Sequence, residues 1–293
     1  MQFSDCHPIV NFMFYIGVLV LGMCLTHPVF LLCSFLFSLS YYWILKRKLW
    51  KYLLVMSGLF LMISVLNPVF NTLGDTILFT YLNQRPYTLE ALCFGMNMAL
   101  MFGAILTWFA TYNEVMTSDK FLYCFGKLLP AVSLILTMVL RLVPSFQKKT
   151  EQIAGARRCI GMSVENGTKR EKIEHGMTIL SALTSWALEG GVVMADSMRS
   201  RGYGCGKRTT FSIYQWKKKD CWLLIMISVC IGMVILCALK GGTEAVFFPK
   251  ITWSGFDNPW MIFGVIGYFV LLAIPTVLHI LEEVIWHILK SRI

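Results

Sequence analysis

The sequence predicts an all-α polytopic membrane protein: about six transmembrane helices plus a set of long cytoplasmic helices. Three observations carry this. First, 57% of the 293 residues are apolar and 14% are charged, whereas a soluble domain carries about 25% charge. Mean hydropathy is +0.65. Second, several apolar runs approach or exceed the roughly 20 residues that cross a bilayer. Third, the net charge of +10 is concentrated, with 17 of the 26 Lys and Arg in residues 113–220. This composition excludes a soluble enzyme, a disordered chain and a collagen-like chain.

Taken in order, the spans fall at about 9–26, 28–45, 52–70, 89–112, 221–239 and 260–287. The first is not a cleaved signal. It lacks a basic leader, and Cys24-Leu25-Thr26-His27-Pro28 contains no small-x-small cleavage site. Thr26-His27-Pro28 reads as a tight hairpin into the second span. In the fourth, Gly95, Ala99 and Gly103 recur every four positions. That spacing suits close helix–helix contact, and the ordinary glycine content of membrane helices accounts for it equally well. The apolar stretch 129–143 is stopped by Arg141 and punctuated by Pro130 and Pro144. It is short for a span and reads as a helix at the interface or packed against the others.

Two longer helices follow. Residues 131–158 read as a helix kinked near Pro144, running to Arg157-Arg158 and closed by Cys159-Ile160-Gly161. Residues 171–200 are amphipathic: Ile173, Met177, Leu180, Leu183, Ala187, Gly191, Met194 and Met198 step by three or four. Arg201 stands at the tip of this helix, where the helix dipole favours a cation, and Gly202 follows as a natural capping residue.

Charge sets the orientation. With the Lys46, Arg47, Lys48, Lys51 loop in the cytoplasm, both termini and residues 113–220 are inside, and 23 basic residues lie inside against three outside (Arg85, Lys240, Lys250). The chain then divides into N-terminal transmembrane helices (1–112), a cytoplasmic or interfacial region (113–220) and C-terminal transmembrane helices (221–293). Lys217-Lys218-Lys219, between Trp216 and Trp222, anchors the fifth span at the cytoplasmic face. Lipid headgroups account for the basic block; the aromatic interleaving of a nucleic-acid surface is missing.

Catalytic signals are weak. No span carries an acid near its middle, where an intramembrane enzyme or proton-driven pump places ionisable groups. His279, Glu283 and His287 share one helix face; a metal face is conceivable, but polar anchoring of a helix end is the simpler reading. Gly206-Lys207-Arg208 lacks the upstream glycine and the following Ser or Thr of a phosphate-binding loop. Asn166-Gly167-Thr168 matches a glycosylation site, but on the cytoplasmic side. The ten cysteines contain no C-x-x-C pair. No metal or other cofactor is expected.

The two arginine-tipped helix ends are the distinctive feature, although a C-terminal arginine is also simply a good cap. Met138-Val139-Leu140-Arg141-Leu142-Val143-Pro144, then Ala154 to Ile160, then Ala195-Asp196-Ser197-Met198-Arg199-Ser200-Arg201-Gly202-Tyr203-Gly204 resemble the transmembrane (T) component of energy-coupling factor (ECF) ABC transporters, the CbiQ/EcfT family. The resemblance implies a non-catalytic subunit of a vitamin, cobalt or nickel importer in a prokaryotic plasma membrane. Its cytoplasmic coupling helices would dock on two ABC ATPase subunits and hold a membrane-embedded substrate-binding (S) component. The family's two Ala-Arg-Gly signatures fall on Arg157-Arg158-Cys159 and Ser200-Arg201-Gly202. The docking residues implied are thus Arg158 and Arg201, with Arg157, Ser200 and Gly202 beside them. The second signature departs by Ser for Ala, and the first by Arg157 for Ala and Cys159 for Gly. The alternative class is a self-sufficient channel or secondary carrier, which the lack of midplane charges and broken helices disfavours.

The orientation is testable by cysteine labelling in a cysteine-depleted background. Positions 167 and 207 should be protected from an impermeant reagent in intact cells, and positions 80 and 243 should react. External labelling at 167 would reverse the assignment.

Overall fold

A computed structural model describes residues 3–46, 49–81, 85–126, 129–162, 168–206, 214–253, 255 and 258–290. The elements are α1 (Pro8–Cys24), α2 (Pro28–Lys46), α3 (Leu49–Phe70), a hairpin of β1 (Ile77–Tyr81) and β2 (Arg85–Thr88), α4 (Leu89–Val115), α5 (Ser118–Gly126), α6 (Pro130–Cys159), α7 (Lys169–Ser200), α8 (Lys218–Leu239), a two-residue hairpin of β3 (Ala245–Val246) and β4 (Thr252–Trp253), and α9 (Pro259–Lys290). Among the described residues, seven helices are long and apolar enough to cross a membrane. The fold is therefore all-α and polytopic, as expected.

The set of seven differs in membership from the six spans read from sequence. It omits α1, whose 17 residues rise about 25 Å at about 1.5 Å each, short of a hydrocarbon core of about 30 Å. It includes α6 and α7. As read from sequence, the apolar stretch 129–143 runs on past Pro144 in one long helix, here the 30 residues of α6.

The chain divides into two compact units. The first comprises Met1–Cys124 with Tyr214–Ile293. In it, α4 packs on α1, α2 and α3, and α9 packs on α8 and α2. Its interior is aromatic: Phe3, Phe14, Tyr15, Tyr41, Trp108 and Tyr268 are all essentially inaccessible. The Trp108 indole N–H donates to Ser34 Oγ (3.1 Å), which satisfies the polar edge of a buried ring. Both α1 and α2 open with the same device. His7 and His27 each accept a hydrogen bond at Nδ1, from the backbone N–H of Ile9 and Val29 respectively (both 3.3 Å). Pro8 and Pro28 fill the first helical position, where a missing N–H costs nothing. Within α5, Lys120 Nζ donates to the Ser4 and Val115 carbonyls. Burial pushes this ammonium below the usual lysine range, and Asp5 opposes the shift.

Small residues set the helix separations. A Cβ at Gly95 would lie 2.8 Å from Asn67 Cβ and 2.9 Å from the Ser64 carbonyl oxygen on α3. One at Gly103 would meet the Phe35 ring of α2 at 3.0 Å. The four-residue spacing therefore serves close contact with two different helices. On α9, Gly264 and Gly267 do the same against Cys237 and Met233 of α8.

The consequence is a matched pair of substitutions. Gly95→Ala forces a methyl into backbone and should cost about 1–3 kcal/mol. Gly58→Ala on α3, with nothing within 4 Å, should be neutral or raise stability by up to about 1 kcal/mol. Thermal unfolding in mild detergent checks both, and equal behaviour would disprove the close contact.

Candidate functional site

The second unit, Phe125–Ile213, is built on α6 and α7. Helix α7 starts with a capping box: Thr168 Oγ1 accepts from the Glu171 N–H (3.5 Å), and Glu171 Oε2 accepts from the Thr168 N–H (2.8 Å). The sequence reading starts this helix at 171 and passes over the Thr168-x-x-Glu171 pattern, which sets the first helical residue at Lys169. The two helices run antiparallel. Phe146 meets Trp186 edge-on at 5.6 Å, and Lys149 Nζ lies 5.6 Å from the same indole ring.

The pair has almost no interior. Ile179 is the one buried residue recorded on either helix among those described. Much of the apolar stripe read from sequence points outward: Ile173, Met177 and Leu180 are exposed, as are Val192 and Val193 beside it. On α6, Val132, Ile135, Val139 and Val143 are also exposed. The edge of α7 turned inward carries His175, Ile179, Leu183 and Trp186, partly off the expected stripe. The hydrophobic periodicity is real, but among the described residues of this unit most of it is left exposed.

Both C-terminal ends are closed by one backbone device. At α6, Gly161 has φ +79°; its N–H donates to the Arg158 carbonyl (3.1 Å), and the Met162 N–H donates to the Arg157 carbonyl (3.0 Å). At α7, Gly202 has φ +79°; its N–H donates to the Arg199 carbonyl (3.0 Å), and the Tyr203 N–H donates to the Met198 carbonyl (3.1 Å). Each is a Schellman closure, which demands a left-handed residue and so selects glycine.

This equivalence fixes where each candidate residue stands. Arg201 is the capping residue of α7, exposed, directly before Gly202. Ser200 turns back, its hydroxyl donating to the Asp196 carbonyl (2.9 Å). Arg201 also lines an open groove of about 570 Å³ with Arg141, Met138, Leu142, Ser197 and Met198; Arg141, noted in the sequence but not as a docking residue, puts a second guanidinium there. At the other end, Arg158 is exposed and occupies the place that Arg199 holds on α7. Arg157 is partly buried: its Nη2 lies 3.2 Å from His175 Nδ1 and 3.8 Å from Met162 Sδ. A guanidinium only donates, so His175 accepts at Nδ1. The structure does not bring the two arginine ends together. Between the level of His175 and Arg201, α7 rises about 1.5 Å per residue, which sets the ends roughly 40 Å apart.

Among the described residues, no three His, Cys, Asp or Glu side chains gather as a metal site. Lys207 and Arg208, and Asn166 with Gly167, lie outside the described residues.

Comparison with known proteins gives the family. The family described as "Cobalt transport protein", CbiQ, matches residues 6–212. The chain belongs to the CbiQ family. A protein of Listeria innocua named "Energy-coupling factor transporter transmembrane protein EcfT" is 28% identical over 218 residues, 69% of this chain and 81% of that protein. A Listeria monocytogenes protein named EcfT 1 is 30% identical over 107 residues, 36% of this chain and 40% of that protein. The EcfT of Bacillus subtilis is 27% identical over 109 residues, covering 37% and 39%. The chain thus spans most of the first relative and about two-fifths of the other two. A membrane transport role follows from the family together with the apolar helices.

Proposed function

We propose that this chain is the coupling subunit of an energy-coupling factor importer, with both termini and residues 113–220 on the cytoplasmic side. The observation that carries the reading is the antiparallel pair α6/α7, which presents two glycine-closed helix ends roughly 40 Å apart. Two ends so far apart suit two ATPase subunits, one at each. The uncovered apolar faces of the pair suit lipid and a membrane-embedded S component, which supplies the substrate site. Long α-helices transmit displacement along their length, so ATP-driven movement of the ATPases reaches the membrane. The chain itself does no chemistry in this scheme and holds no cofactor. The transported substrate, a vitamin or a transition metal, is chosen by the S component.

At the α7 end, Arg201 reaches a carboxylate on its ATPase subunit, with Gly202 holding the closure and Ser200 bonded back into the helix. A guanidinium offers two parallel donors to a carboxylate, which fixes orientation as well as affinity. At the α6 end, Arg157 and Arg158 stand beside the closure.

Arg201→Ala leaves the partner carboxylate buried and unpaired, a loss of about 2–5 kcal/mol. ATPase co-purification and substrate uptake should both fall. Arg201→Lys should restore them only in part, because an ammonium lacks the planar fork. Arg199→Ala should be tolerated. Wild-type behaviour of Arg201→Ala alongside loss in Arg199→Ala would overturn the assignment.

A further inference from the structure

The start of α8 holds more than a general membrane anchor. An open cavity of about 480 Å³ lies between α8 and α9, lined by Lys218, Lys219 and Trp222 and by Leu278, Leu281 and Ile285. A second cavity, of about 320 Å³, is lined by apolar side chains of the same two helices. Trp222 lines both. On α8 the second lining steps from Trp222 through Met226 and Val229 to Met233, one helix face. The two cavities therefore form one groove, cationic at the α8 start and apolar beyond it. From Trp222 to Met233 the helix rises about 17 Å, close to half of a hydrocarbon core of about 30 Å. The apolar stretch is thus as long as one leaflet is deep.

The cationic end is held in place. Asp220, buried, accepts from the backbone N–H of Lys217 at Oδ2 (3.1 Å) and from that of His7 at Oδ1 (3.4 Å). Its charge is met by these donors, and they fix the turn that carries Lys217, Lys218 and Lys219. Trp216 is stacked on His7 at 3.9 Å, so Trp222, 66% exposed, is the indole left to the groove. Glu282, half-buried, is the second acid lining the groove, against three lysines at its edge.

We propose that this groove binds one anionic phospholipid, its phosphate held by Lys218 and Lys219 and an acyl chain laid from Trp222 to Met233. The proposal is independent of the coupling role. Charge decides the occupant: three adjacent ammonium groups outweigh Glu282 and favour a headgroup with net negative charge. An indole at headgroup depth and an apolar channel one leaflet long suit a lipid, whereas a free phosphate ion would leave the channel unused.

The experiment is native mass spectrometry of the full chain in mild detergent, supplied with equimolar phosphatidylglycerol and phosphatidylethanolamine. The wild-type chain should retain one phosphatidylglycerol in preference to phosphatidylethanolamine. The double variant Lys218→Gln/Lys219→Gln should lower that retention by roughly ten- to thirty-fold, the range for two lysines at a membrane surface. Lys250→Gln, an exposed cation elsewhere in the same unit, should leave it unchanged. Val229→Trp, at an exposed position in the apolar channel, should lower retention of either lipid. These positions are exposed, so no core is disturbed, and monodispersity on size exclusion verifies folding. Wild-type retention in the lysine double variant, or equal or greater retention of phosphatidylethanolamine by the unaltered chain, overturns the anionic site. Displacement of the lipid by excess inorganic phosphate, or wild-type retention in Val229→Trp, overturns the acyl channel.

Discussion

Everything distinctive about this protein depends on two helices being long, continuous and antiparallel. The backbone hydrogen-bond ladder of α7 runs unbroken from Lys169 to Ser200, and α6 runs from Pro130 to Cys159 through Pro144. Antiparallel pairing turns that length into separation. Had the helices been parallel, both C-terminal ends would lie at one end of the pair and address one partner. Pairing holds the ends apart with little packing of its own: Phe146 against Trp186, Lys149 over the same ring, Arg157 to His175, and the buried Ile179.

The first unit solves the opposite problem. Its helices are brought as close as backbones allow, at Gly95, Gly103, Gly264 and Gly267, around an aromatic interior. In lipid there is little hydrophobic gain from helix association, so close van der Waals contact does that work. A tightly packed unit and a helix pair with exposed faces divide the chain by physical character as well as by compactness.

Much of this was legible in the sequence. The alternation of apolar runs and basic loops gave the helix order, and Gly202 after Arg201 announced a closed helix end. Other features were not legible for identifiable reasons. Gly95 and Gly103 share a spacing but face different helices, a tertiary fact that periodicity does not contain. The stripe on α7 was visible, but a pattern says that an apolar face exists and not what covers it. The α6 end shows the limit of matching by residue type. Matching arginine to arginine pairs Arg158 with Arg201; matching the residues that make the same hydrogen bonds pairs Ile160 with Arg201. The signal was present in Cys159-Ile160-Gly161-Met162 beside Ser200-Arg201-Gly202-Tyr203, once the left-handed glycine rather than the charge is taken as the anchor.

The central claim, that one rigid helix pair addresses two partners through its opposite ends, is tested most directly by photo-crosslinking in the assembled complex. A crosslinking residue is placed at position 160, at position 203, and at both. Each single label should capture an ATPase subunit, and the doubly labelled chain should capture two ATPase molecules at once. Capture of one and the same ATPase molecule from both positions, or of lipid alone, would contradict it.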